Sequence, residues 1–215
     1  GIIEFQKASG RYQHEHASVQ FDTEKLQLHM GISSSYLPKI AVQRLLMQRP
    51  NFTILMRQKP ANNPASLQEV KELTKPIAVD LLELTDPSFK LSYFDDAGKQ
   101  LFAATFLAGK LTCNHVIIDN RNHEPVIALA SATYQTQQPH AQLADQLFNP
   151  SSMHLKVKDV EFYPLSKKYR FLIDSMLLNN ISHTIIGQKD DTLSFQIKAI
   201  SVADIPIATS DTIRS

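Results

Sequence analysis

Three constellations in the chain carry side chains capable of chemistry. His14-Glu15-His16 sets two imidazoles at i and i+2, which share a face of a strand and can reach one metal ion. Gln20 continues that face, and His29 is expected on the paired strand. Cys113-Asn114-His115 has the same spacing, that of a thiolate–imidazole pair. Lys156, Lys158, Lys167, Lys168 and Arg170 form the densest basic stretch, with Phe162, Tyr163, Tyr169 and Phe171 interleaved. Such a stretch suits a phosphorylated lipid, a nucleotide or a single-stranded nucleic acid.

Each constellation also has a plain reading, and the plain reading is the stronger. The histidine pair lacks the remaining ligands of a zinc site and reads as a solvated strand face. A free cysteine in mid-strand is usually a small buried hydrophobe, and no helix N-terminus follows Cys113 to lower its pKa. The basic stretch reads as strand alternation, lysine out and valine in. The expectation is therefore no catalytic residue, no metal and no cofactor. If an anionic ligand is bound, its site draws on Lys167, Lys168, Tyr169 and Arg170, just after the Tyr163-Pro164 break, where the chain turns at the surface.

Composition narrows the field further. With 215 residues, 22 Lys+Arg and 21 Asp+Glu, the net charge is +1, which excludes a bulk attraction to nucleic acid or anionic membrane. Six scattered glycines leave no G-x-G-x-x-G and no P-loop, and neither H-E-x-x-H nor G-x-S-x-G occurs. One cysteine forms no intramolecular disulfide, so a reducing compartment is the simplest setting and a cytoplasmic location the expectation. Apolar runs such as Ile40–Met47 are broken by Gln43 and Arg44 and fall far short of the roughly 20 residues that span a bilayer. Gly1–Phe5 shows no signal-peptide pattern.

The elements that would hold these residues are mostly strands. Period-2 alternation, bounded by turn formers, predicts an antiparallel meander over Pro76–Tyr134 with turns at Asp95–Gly98, Gly109-Lys110 and Asn120–His123. Ile2–Lys7, Tyr12–Phe21 and Lys25–Met30 also read as strands, with turns at Ser9-Gly10 and Asp22-Thr23. Helices are predicted from Ser33 to Arg49, where Leu37, Ile40, Ala41 and Leu45 share a face, at Ser66–Thr74 behind a capping box, and at Ala141–Phe148. Met153–Tyr163 is a strand, Ser166–Asn180 fits either class, and Ile181–Val202 is a hairpin. No internal repeat stands out.

The segment Ser92-Tyr-Phe-Asp-Asp-Ala-Gly98 through Ile117-Ile-Asp-Asn-Arg-Asn-His-Glu-Pro-Val-Ile127 resembles the repeated hairpins of tubby-like barrels, including phospholipid scramblases. The resemblance covers about a fifth of the chain and implies antiparallel β-structure, with lipid binding as one branch. The apolar C-terminal helix of that family has no counterpart in Ile205–Ser215. His14-x-His16 also resembles the cupin His-x-His, but Gln20 stands where that pattern has a carboxylate.

The expected fold is mainly β, or a β-rich α+β: an antiparallel sandwich or partly closed barrel with two or three short helices. A β-rich lobe over 1–138 with two short helices and a smaller one over 150–215 are expected, packed as one unit or divided near Gln135–Ser152. The expected function is a non-enzymatic binding or interaction domain with a protein partner. The alternative is a sensor for an anionic small ligand or lipid head group, and the least favoured is a metal- or cysteine-dependent enzyme.

Overall fold

The computed structural model describes residues 1–14, 17–31, 40–57, 76–121, 124–163, 168–186 and 192–209. Twelve strands account for nearly all of them. These are β1 (Ile2–His14), β2 (Ala17–Met30), β3 (Ile40–Gln48), β4 (Asn51–Arg57), β5 (Ile77–Thr85), β6 (Ser88–Phe94), β7 (Gln100–Arg121), β8 (Glu124–Leu143), β9 (Gln146–Asn149), β10 (Ser152–Tyr163), β11 (Lys168–Ile186) and β12 (Thr192–Ala208).

All twelve join one mixed sheet. Its logic is clearest in rungs. Strand β2 pairs with β3 through one half and with β4 through the other, so β3 and β4 are two arms of a single bent rung. The pairs β5–β6 and β9–β10 are bent rungs of the same kind. Nine rungs thus follow one another in chain order, from β1 at one edge to β12 at the other. Every step is antiparallel except that from β3–β4 to β5–β6, which is parallel. The ladder continues directly from β8 to β9 and β10.

The main bends fall on one line and crease the sheet lengthwise, while His115, Asp159 and Asp204, at φ 52–55°, mark further bends within the first arm. Lys7, Arg49, Asp86, Ala108, Gln138 and Asn180 on this line have φ between 44° and 55°, a region that costs a non-glycine residue about 1 kcal/mol or more. The ladder survives the bend: Arg49 N donates to Thr85 O, Asp86 N to Gly109 O and Gln138 N to Ser151 O, all at 2.8–2.9 Å. Buried threonine hydroxyls take up carbonyls that the bend leaves open, Thr23 Oγ1 donating to Gln48 O and Thr136 Oγ1 to Leu107 O, each at 2.7 Å. Gly109 is required by close approach, since a Cβ there would stand 2.1 Å from the Gln135 carbonyl oxygen.

Each bend also shifts the pleat by one residue. On an unbroken strand, side chains i and i+2 share a face. Here Met47 is followed inward by Pro50 and Phe52, with Gln48 and Arg49 both exposed outside the corner. Leu84, Pro87 and Phe89 repeat the pattern around exposed Thr85 and Asp86. The slip turns the same chemical face inward on both arms. Pro50, Pro87, Pro139 and Pro150 are buried along the inside of the crease, where proline's missing N–H is no loss to the ladder.

Several expectations need correction. No helix occurs among the described residues. Ile40–Gln48 is β3, because Val42, Leu45 and Met47 enter a parallel ladder with Val79, Leu82 and Leu84. Ala141–Phe148 is the end of β8, a two-residue turn and most of β9. Ser66–Thr74 lies outside the described residues. Ser9-Gly10, Asp22-Thr23 and Gly109-Lys110 lie inside strands, at or beside the crease, so these apparent turn formers are bend formers. The Asp95–Gly98 turn is present, closed by Asp95 N donating to Lys99 O, with Gly98 at φ 85°. Pro76–Tyr134 is not a simple meander, since β5 and β6 are arms of one rung rather than a hairpin. In place of the expected antiparallel sandwich or partly closed barrel, the strands form one large mixed sheet, partly ringed but not a barrel. A repeat is present as well: residues 37 apart align in the parallel ladder, with Ile40-Ala-Val42 beside Ile77-Ala-Val79 and Pro50-x-Phe52 beside Pro87-x-Phe89.

Candidate functional site

The crease gives the sheet a concave side, and that side is an apolar trough. On the second arm, Phe21, Phe52, Phe89 and Phe106 stand in one row of ladder partners. The Phe52 and Phe89 rings stack at 5.1 Å and Phe21 lies 6.0 Å from Phe52. The next row outward holds Val19, Ile54, Leu91, Ala104, Ala141, Phe148, His183 and Phe195. On the first arm, Leu26, Met47, Leu84, Leu111, Tyr134, Leu155, Met176 and Val202 form the corresponding row. Tyr134 closes the angle, meeting Phe89 at 5.8 Å and Phe106 at 6.1 Å, both edge-on. No Asp, Glu, Lys or Arg stands in these three rows.

The charges are on the convex side. Glu83 accepts from Arg44 and lies 3.1 Å from Lys110, and the Arg44 guanidinium holds its carboxyl below the usual range. Asp174 joins Lys156 at 2.8 Å and also Lys158, and their hydrogen bonds lower its pKa. Lys25–Glu4 and Arg49–Glu24 continue the pattern at 3.1 and 3.3 Å. The convex face thus carries the ion pairs, with exposed apolar side chains such as Leu55 and Leu177 among them.

The trough is filled only at its base. Of the twenty residues in these rows, Met47, Leu84 and Ala104 are buried, Phe195 is exposed and the other sixteen are partly exposed. Tyr12 (60%), Leu143 (53%), Leu193 (56%) and Phe195 (43%) mark the uncovered wall and ends of the second arm. Two polar atoms within the walls, Tyr134 OH and His183 Nε2, are shielded from water and have no hydrogen-bond partner. His183 is sandwiched by Phe148 at 4.1 Å and Phe195 at 5.9 Å. Burial raises the Tyr134 pKa.

The three sequence constellations fare differently. His14 ends β1 and residues 15–16 lie outside the described residues. Gln20 and His29 stand at opposite ends of β2, nine residues apart, so they do not complete one ligand set. Among the described residues no cluster of three metal-ligating side chains occurs. Cys113 is buried between ladder partners Leu82 and Ala132, and burial pushes its thiol up to about 11. His115, at φ 52°, is exposed and makes no hydrogen bond to Cys113.

Of the basic stretch, Lys167 lies outside the described residues. Lys168, Tyr169 and Arg170 open β11 at the free rim of the first arm. Arg170 is engaged by Glu161 at 2.9 Å, and Tyr169 lies 41% exposed, 6.2 Å from Phe171 and beside its ladder partner Phe162. Beside this pair, on the sheet surface, is a shallow depression of about 230 Å³ lined by His115, Asp159, Glu161 and Arg170, below the roughly 300–1,000 Å³ of ordinary ligand pockets. The trough itself went unread in the sequence. Its signal was the pair of Pro-x-Phe motifs 37 residues apart, each placed three residues after an inward Met or Leu.

No helix of the described residues is long and apolar enough to cross a membrane. Compared with protein-family models and with curated proteins, the sequence finds no match.

Proposed function

We propose that the protein is a non-enzymatic binding module whose working surface is the trough, and whose ligand is an elongated, uncharged apolar chain of the acyl-lipid kind. The observation that carries this reading is the continuous apolar concave face, whose rows hold no Asp, Glu, Lys or Arg and remain partly exposed. Nine rungs at the usual spacing of about 4.8 Å give a trough roughly 38 Å long, suited to a chain rather than to a compact molecule. Covering such a surface releases about 25 cal/mol per Å² of apolar area, which supplies affinity without any specific polar contact. Tyr169, 41% exposed beside its ladder partner Phe162, lies at the free rim of the first arm. A fluorescent acyl probe tests the reading, with native mass spectrometry for co-purified lipid. Leu91→Glu and Ile54→Glu set a charge in the trough and should weaken binding at least tenfold. Lys90→Glu and Thr53→Glu, on the opposite face of the same strands, should leave it unchanged. If the inward glutamates bind the probe as tightly as the parent protein, the trough is not the site.

A further inference from the structure

The two edges of the sheet are complementary to one another. Among the described residues, strand β1 pairs only with β2 and β12 only with β11, so each presents there an unpaired row of backbone N–H and C=O groups. Rung direction decides what those rows accept. Strand β1 runs from the first arm to the second. Nine strictly alternating rungs would leave the last running the same way. The one parallel step, from β3–β4 to β5–β6, reverses the count, and β12 runs from the second arm to the first. A second copy displaced along the crease therefore brings its β1 to β12 in antiparallel sense, with both concave faces on the same side.

The side chains agree with this register. The crease passes through Lys7 in β1, and through Lys198 in β12, the residue opposite Asn180 of β11. Aligning the creases sets Phe5 opposite Ile200, Ile3 opposite Val202 and Tyr12 opposite Leu193. Five of these six are among the exposed large hydrophobic residues of the chain. A slip of one residue would set the concave side chains of one copy opposite the convex side chains of the other. One contact opposes the pairing: Lys7 and Lys198 meet as like charges on the outer corner, which weakens the junction and keeps it reversible.

We propose that copies of this chain associate head to tail, β12 of one pairing antiparallel with β1 of the next, so that the trough runs on across the junction. The interface is heterologous: a two-fold pairing of identical edges would also be antiparallel, but it would lay the first arm of one copy along the second arm of the other, whereas the β1–β12 junction keeps each arm beside its like, as every step inside the molecule does. This inference is independent of what the trough holds.

Single-cysteine substitutions separate the arrangements. Ser9→Cys and Gln196→Cys face each other across the proposed junction, both positions are exposed, and the native Cys113 is buried. Each variant is oxidised mildly alone and then as an equimolar mixture, at concentrations where light scattering shows mass above the monomer. The mixture should give a covalent dimer that neither variant forms alone. Lys198→Glu turns the repulsive corner into an attractive one and should tighten association roughly threefold or more. Ile200→Asp should weaken it by at least tenfold while circular dichroism stays unchanged. A chain that stays monomeric at every accessible concentration overturns the proposal. So do covalent dimers of one variant alone without the mixed species, and so does association insensitive to both Lys198→Glu and Ile200→Asp.

Discussion

The buried thiol of Cys113 titrates near 11 because burial disfavours its thiolate, whereas an ordinary cysteine ionises near 9. Between those two values the unfolded chain sheds the proton first. The Cys113 contribution is therefore constant below about pH 9 and falls by up to about 2.7 kcal/mol towards pH 11, and Cys113→Ala should abolish that alkaline loss in urea melts. Glu83 works in the opposite sense. Its carboxylate is held low by Arg44 and then by Lys110, so its contribution is present above the ordinary glutamate range and lost as pH falls through it. Glu83→Gln should cost about 1 kcal/mol at neutral pH and flatten the acid limb of a stability–pH curve. Gly109 is the least replaceable glycine on the crease. Gly109→Ala drives a methyl against the Gln135 carbonyl and should lower the thermal midpoint by the equivalent of about 2–3 kcal/mol.

The bent rung is the element from which the molecule is built, and its corner is under conformational strain. Ala108 holds φ 47° with no polar side chain to favour it. Ala108→Gly should stabilise the protein by about 0.5–1 kcal/mol in thermal melts, whereas Ala103→Gly, mid-strand in β7, should destabilise it. The corner also explains what the sequence disclosed and what it hid. Local alternation sufficed for β-structure, for the Asp95–Gly98 turn and for Met153–Tyr163 as a strand, because pleating and turn chemistry are decided by neighbours a few residues apart. The helix predicted over Ser33–Arg49 failed in its described part through the one-residue slips at Gln43-Arg44 and at Arg49-Pro50. A slipped period of two imitates a period near 3.6, so Ala41 and Leu45 seemed to share a helical face. The proline that seemed to end the helix instead begins the second arm. The trough was hidden for the same reason. Phe21, Phe52 and Phe89 are neighbours only through ladder registers between segments far apart in the chain. Among the basic residues, the sequence supplied position but not partners, and Glu161 and Asp174 engage Arg170, Lys156 and Lys158.

At the scale of the whole molecule, the closest backbone approaches are all between hydrogen-bonded neighbours. Stability is then close to a sum over adjacent rungs. Hydrogen exchange should show β7 and β8 most protected and β1 and β12 least, with the edge strands gaining protection when the trough or the sheet ends are occupied; uniform protection across all strands would contradict that picture. The crease has a mechanical consequence too. A flat sheet flexes readily about any line along its length, but a folded one resists bending in the way an angle iron does, because material lies away from the neutral axis. The ladder hydrogen bonds point along that same length. Tension applied end to end therefore loads them rung after rung, in series, and parts one interface at a time. Tension applied along a strand loads a whole ladder at once. The molecule is built to be stiff as a strut and comparatively easy to pull apart along its axis.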